Sequence, residues 1–214
     1  TGPASFSGTS SPALLIEPAG TNVCLQSRTL DTTWGTFNDC TVAQTETGID
    51  GVINKAWLVT DPSATKVAIV RQDITIPNDS NTHTASMFIK KDSKNTRFVT
   101  VQFRLQNGTE ITHDAQINTS TGATTTLGDT DGDDSVWVED WGNWWRFCMT
   151  NTNNTSGNTS ARISILPASE VWGSTEASAI GSCVVDQVQL ELNQTYASSP
   201  IVTTAAAVTR ATEA

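Results

Sequence analysis

Apolar positions along this chain recur every second residue, in short bursts. The strongest are Lys66-Val67-Ala68-Ile69-Val70-Arg71, Thr84 to Lys90, Arg97 to Arg104 and Val184 to Leu192. A period of two puts successive side chains on opposite faces of a strand. No stretch sustains the i, i+3, i+4, i+7 spacing of an amphipathic helix. Gly48-Ile49-Asp50-Gly51, Lys91 to Lys94, Asn107-Gly108 and Thr121-Gly122 punctuate the bursts as turns. About ten short strands at roughly 8–15 residue spacing is the arithmetic of a single antiparallel β-sandwich, a jelly roll. All-β is therefore the expected fold class. In the last strand Val184, Val188, Leu190 and Leu192 are expected to face the core, with Asp186 set among them.

The densest aromatic stretch is Asp140-Trp141-Gly142-Asn143-Trp144-Trp145-Arg146-Phe147-Cys148-Met149, with Trp137 just upstream. Gly142-Asn143 reads as a tight turn, because glycine accepts positive φ and asparagine tolerates it. The strand that follows places Trp145, Phe147 and Met149 on one face and Trp144, Arg146 and Cys148 on the other. The first face is core. The second joins a flat aromatic to a planar guanidinium, either as a sugar-binding surface or as an amphipathic outer face.

Composition supports strands and turns: the chain is rich in threonine, which favours strands, and in serine, asparagine and glycine, which favour turns. The formal net charge of −10 argues against nucleic acid, whose phosphates need a basic footprint. No apolar run reaches the length of a transmembrane helix, so membrane insertion is not expected. Cys24, Cys40, Cys148 and Cys183 include no CxxC, and zinc is not expected. Cys24 and Cys40 bracket a hairpin-sized segment, which leaves a bridge or two free thiols open. The seven Asn-x-Ser/Thr sequons are what chance gives in a chain of this composition.

Three stretches carry a family resemblance. Leu14-Leu15-Ile16-Glu17-Pro18-Ala19-Gly20-Thr21-Asn22 resembles an L-L-I-E-P-x-x-T-N-L-L entry, and Asn143 to Cys148 is similar to N-G-W-Y-R-C, with Trp145 and Cys148 on the motif's Trp and Cys. Val188-Gln189-Leu190-Glu191, Tyr196 to Thr204 and Ala207 to Ala211 resemble a closing Q-L-E, F-A-T-S-Y-I-P-T-T, V-T-R-A signature. This is the pattern of phage tail-fibre and virion-associated domains, which resemble jelly-roll carbohydrate-binding modules. Trp144 stands where the motif has Gly, Arg146-Phe147 replaces Tyr-Arg, and the proline lies at 200 rather than 202. The resemblance implies a domain over residues 13–205, preceded by a flexible arm at 1–12. A tail at 206–214 would lead to the rest of a longer parent chain. It also implies a virion or extracellular location, a polysaccharide or cell-surface glycan as partner, and assembly within an oligomeric fibre.

Candidate glycan-binding residues are Trp141, Trp144, Arg146 and, in a separate loop, Trp172. An indole suits the apolar face of a pyranose, and a guanidinium pairs with a uronate or sulfate. The same rings also serve as packing between sheet and loop. Asp186, on an apolar face, needs a partner or a metal, since a buried bare carboxylate is costly. The resemblance implies a structural calcium there; a hydrogen-bonded buried carboxylate is the alternative. Asp129 to Asp134 holds four carboxylates in six residues but has Asp134 at the sixth position, where an EF-hand loop needs glycine, and reads as a solvated turn. His83 and His113 stand in no metal or catalytic spacing, and no G-x-S-x-G occurs. A non-catalytic domain is expected, with a purely structural fibre domain as the alternative to glycan binding.

Overall fold

The computed structural model describes residues 17–30, 32–92, 98–130, 132 and 134–212, which form fourteen strands and no helix. The expected arm at 1–12, the run Leu14-Leu15-Ile16, and Asp131 and Asp133 lie outside the described residues. One eight-stranded antiparallel sheet runs β10 (Val136–Trp141), β11 (Trp144–Thr152), β6 (Thr82–Lys90), β13 (Gly181–Glu191), β1 (Gly20–Asn22), β14 (Val208–Arg210). To it β4 (Ala56–Asp61) adds on β13, and β3 (Thr41–Glu46) on β4. The second sheet runs β2 (Gly35–Phe37), β5 (Ile69–Thr75), β12 (Ser160–Leu166), β7 (Phe98–Gln106), β8 (Ile111–Asn118), β9 (Thr124–Asp129). This is the all-β sandwich that the period of two predicts.

The inward positions interdigitate. Val99, Val101, Phe103, Leu105, Ile111, Ala115 and Ile117 of the second sheet share one buried core with Ala85, Met87, Ile89, Phe147, Met149, Val185, Val188 and Leu190 of the first. Two reciprocal hydrogen bonds cross between the sheets: His113 Nδ1 to the Thr150 carbonyl, and Asn151 Nδ2 to the Phe103 carbonyl, both 2.7 Å.

The last long strand departs from strict alternation. A register shift falls between Asp186 and Gln189, with Gln187 at φ +49°, the signature of a β-bulge. Val185 therefore joins Val188 and Leu190 in the core, whereas Val184 faces outward with Asp186. The even-numbered pattern expected for this strand holds only beyond the bulge.

The resemblance motifs at the two ends of the chain meet in one polar clasp. Asn22 Nδ2 donates to the carbonyls of Val188 (3.2 Å) and Ile201 (2.7 Å), and its Oδ1 accepts from the amides of Cys24 and Leu190. Glu191 accepts from the Ser198 amide (2.9 Å), the Ser198 hydroxyl (2.6 Å) and Gln189 Nε2 (2.7 Å). Arg210 pairs with Glu17, to which the Ser199 hydroxyl also donates. Val208–Arg210, read from sequence as the start of a tail, pairs with β1. Cys24 and Cys40 form no bridge; all four cysteines are buried free thiols. Burial pushes the thiols of Cys40 and Cys148 up to about 12, and those of Cys24 and Cys183 upward as well.

Candidate functional site

The aromatic hairpin lies at the free edge of the eight-stranded sheet. Gly142, at φ +72°, opens the two-residue turn that puts Trp141 directly across from Trp144. The ladder continues inward: Glu139 opposes Arg146, Trp144 opposes Lys90 and Arg146 opposes Phe88. Opposed residues share a face, so Glu139, Trp141, Trp144, Arg146, Phe88 and Lys90 all lie on the sheet's outer side. Trp145 lies on the inner side, half-buried against the main core, and donates from Nε1 to the Thr119 carbonyl at 2.8 Å.

Two expectations for this face are corrected. Trp144 does point away from the core, but it is not bare: only 5% of it is exposed. It forms a second, small apolar cluster with Ala56 and Phe88, flanked by Ile49 and Val184. Arg146 is likewise buried, at 3% exposure, and so is not positioned to meet a uronate or sulfate. Its Nη2 donates to the Ser198 carbonyl and to Ser86 Oγ, and Nη1 lies 3.9 Å from Glu139. It is a strut between the sheet and the terminal clasp. The physical reason in both cases is long-range: residues 47–53 and 194–201 fold over a face that strand alternation alone would leave in water. A signal for this cover was present in Met87-Phe88-Ile89, three consecutive apolar residues. The run is shorter than the roughly four or more apolar residues that mark a strand buried on both faces. It hints at the burial seen from His83 to Ile89 without specifying it.

Trp141 is the open aromatic, 44% exposed. Its indole is held in place, with Nε1 donating to Glu139 at 3.1 Å and the ring meeting Phe88 edge-on at 5.3 Å. It forms one wall of a groove of about 500 Å³ with Gly142, Asn143 and Trp144; Thr47, Gly48, Ile49 and Gly51 form the other, and Lys90 lies between. Trp137, two residues before Glu139 on the same edge strand, is half-buried on this face; it stands just upstream of the aromatic stretch in the sequence but is not among the candidate glycan-binding residues. Its i, i+2, i+4 relation to Glu139 and Trp141 was the available signal.

The second wall is built on an ion cluster. Arg28 donates from Nε and Nη2 to both oxygens of Asp186 (2.9 and 2.8 Å) and from Nη1 to Asp50 (2.7 Å). The Ile49 amide donates to Asp186 at 2.9 Å. Burial works against the charge on Arg28, but the bonds from Asp50 and Asp186 outweigh it and hold its pKa above the usual value. The Arg28 hydrogen bond draws the Asp50 carboxyl down to about 2. Gly48 fits against this cluster because it has no side chain: a Cβ would stand 2.5 Å from Arg28 Nη2 and 2.9 Å from Asp186 Oδ2. The residues around Asp186 do not fit a calcium ion. A guanidinium occupies the carboxylate's bidentate position, and among the described residues no group of three or more His, Cys, Asp or Glu side chains is placed to hold a metal.

Trp172 is not brought to this groove. It is 40% exposed and meets Phe98 of the other sheet edge-on at 5.1 Å. Its loop is tied to that sheet by Gln116, which accepts from the Gly173 amide and donates to the Ser174 carbonyl.

No protein-family model matches the chain, and no curated protein matches it. Among solved structures it is similar to the enzymatically active domain of tailspike protein 4 from bacteriophage CBA120, at 13% identity and a TM-score of 0.47. That match covers 80% of this chain and 21% of the tailspike chain, so this chain spans about a fifth of that protein. It is also similar to the CBM22-1 xylan-binding domain of Paenibacillus barcinonensis Xyn10C (14% identity, 86% and 99% covered, TM-score 0.46). A third likeness is to TmCBM61, solved with β-1,4-galactotriose (10% identity, 79% and 97% covered, TM-score 0.40). At these values the likenesses assign no ligand to the chain.

Proposed function

We propose that this sandwich is a non-catalytic carbohydrate-binding module, and that the groove between residues 47–51 and the 141–144 hairpin receives the glycan. The observation that carries the reading is Trp141: a half-exposed indole, fixed by Glu139 and Phe88, forming the wall of an open groove with polar groups beside it. A large aromatic left in water beside a concavity marks a binding surface, and an indole plane suits the C–H face of a sugar ring. Trp144 is the buried floor that shapes the groove. The resemblance of the end motifs to phage tail-fibre domains supports reading the module as part of a phage fibre or a phage-derived polysaccharide-degrading protein, on a virion or outside the cell. One stacked ring contributes about 1 kcal/mol, so single-site affinity is weak and gains from several copies on a fibre.

Affinity electrophoresis through polysaccharide gels tests this. The wild-type domain should be retarded by at least one polymer, and Trp141→Ala should abolish the retardation while barely moving Tm. Unaltered retardation in Trp141→Ala would remove the groove from the binding site.

A further inference from the structure

The charged side chains at and beneath the groove are paired with one another, and that pairing bears on which glycans it accepts. Among its lining residues Lys90 alone is charged, and its ammonium already lies 3.0 Å from Glu46 Oε2. Both side chains are about a third exposed, so this pair sits at the groove's surface and not beneath it. The nearby cations are matched in the same way. Arg28 is shared by Asp186 and Asp50; Lys91 Nζ lies 2.6 Å from Asp140 and over the Trp145 ring; Arg146 is buried beside Glu139. Around the groove the cations Arg28, Lys90, Lys91 and Arg146 face the carboxylates Glu46, Asp50, Glu139, Asp140 and Asp186. Within this ion-paired set no cation is left over; Lys55, exposed on the same hairpin, does not line the groove, and the whole chain carries −10.

We infer that the groove takes a neutral polysaccharide, one without carboxylate or sulfate groups; this rests on the glycan reading above. A uronate entering the groove would meet Lys90 already neutralised and the uncompensated carboxylate of the surrounding set. At about 4 Å, like charges in water repel by about 1 kcal/mol. The carboxylates stand behind the lining, so the repulsion is a part of this; set against the small contribution of one stacked ring, it still favours a neutral polymer. A neutral chain meets none of this. It offers C–H faces to Trp141 and hydroxyls to Asn143 and Thr47, which both line the groove and whose side chains make no hydrogen bond among the described residues.

The test is affinity electrophoresis of the full chain against neutral polymers (xylan, β-1,4-galactan, mixed-linkage glucan) and polyuronates (polygalacturonate, alginate). It is run at low salt and at about 0.5 M salt, where the screening length falls to a few ångströms. Wild type should be retarded by a neutral polymer at both salt levels and by neither polyuronate. Glu46→Gln removes Lys90's partner on a half-exposed strand end, so the fold should be kept, as a thermal melt will check. That variant should gain polyuronate retardation at low salt and lose it at high salt. Salt-sensitive retardation of wild type by a polyuronate would overturn the neutral class while leaving the groove as the glycan site. A folded Glu46→Gln that gains nothing would overturn the charge-balance argument. Absence of retardation by every polymer would overturn the glycan reading together with this inference.

Discussion

Trp141 and Trp144 sit across from each other on one sheet face, yet truncating them should have opposite consequences. Trp144 is enclosed by Ala56, Phe88, Ile49 and Val184. Trp144→Ala should therefore cost about 3–5 kcal/mol, a fall in Tm of roughly 6–20 °C for a domain of this size. Trp141→Ala gives up chiefly an edge contact with Phe88, about 1 kcal/mol. Thermal melts of the two variants beside their gel retardation will separate packing from binding. A third residue makes stability depend on pH. His83 is wholly buried, and desolvation lowers its pKa, opposed in part by Asp79 at 3.5 Å. The folded state thus resists a proton that the unfolded chain accepts at about pH 6.5. The contribution is complete above that pH and is lost as the pH falls below it. Tm should decline between pH 7.5 and 5.5, and His83→Gln should flatten that decline; an equal decline in the variant would show that His83 is not its source.

At the scale of elements, the 47–53 turn is the part whose position matters most to the groove. Its anchor is electrostatic, because the Arg28 guanidinium lies between buried Asp186 and exposed Asp50. Adding one methyl group, Gly48→Ala, drives a Cβ into this cluster. The expected loss is about 1–3 kcal/mol, as for other overpacked sites, together with weaker glycan retention because one groove wall shifts. Arg28 also makes a prediction about metals. With a guanidinium in the position a calcium ion would take, a chelator should leave Tm unchanged. A chelator-induced fall would mean that an ion bound to the native state stabilises it by mass action. The Asp50 arm of the cluster should survive mild acid. Its carboxyl is drawn down to about 2, so the pairing holds above the ordinary carboxylate range and is lost only as the pH falls through about 2.

Across the whole molecule, the two chain ends close the eight-stranded sheet. β14 lies on β1, β1 touches β13 at Asn22 and Glu191, and Arg210 reaches Glu17. The clasp also holds Arg146, through the Ser198 carbonyl, beneath the groove face. Ending the chain after Thr204 should therefore lower Tm and speed amide exchange at Gly20 to Asn22. Unchanged exchange there would show that β14 contributes no stability. The described residues of the end motifs hold this end of the sandwich together, and none of them lines the groove.

Alternation of apolar and polar residues by itself determined the all-β class, the long central strands such as β6, β7, β11 and β13, and the inward set Trp145, Phe147 and Met149, because these depend on a period of two that is local to each strand. Short or weakly alternating strands such as β2, β4, β9, β10 and β14 form on neighbours that the period does not show. The conformational freedom of Gly142 and Asn143 marked the turn between them, and the pairing of Trp141 with Trp144 across it came with the structure. Which outward residues stay in water was decided only by the tertiary structure. Trp144 and Arg146 alternate like exposed residues, but the 47–53 and 194–201 segments, distant in sequence, cover them. The partner of Asp186 was hidden for the same reason: Arg28 lies 158 residues away and carries no motif. The bulge that turns Val184 outward left no mark in the apolar pattern, since an extra residue changes a strand's face without changing its composition. Burial on the second face of a sheet is a property of what folds over it, and the period within a strand holds no record of that.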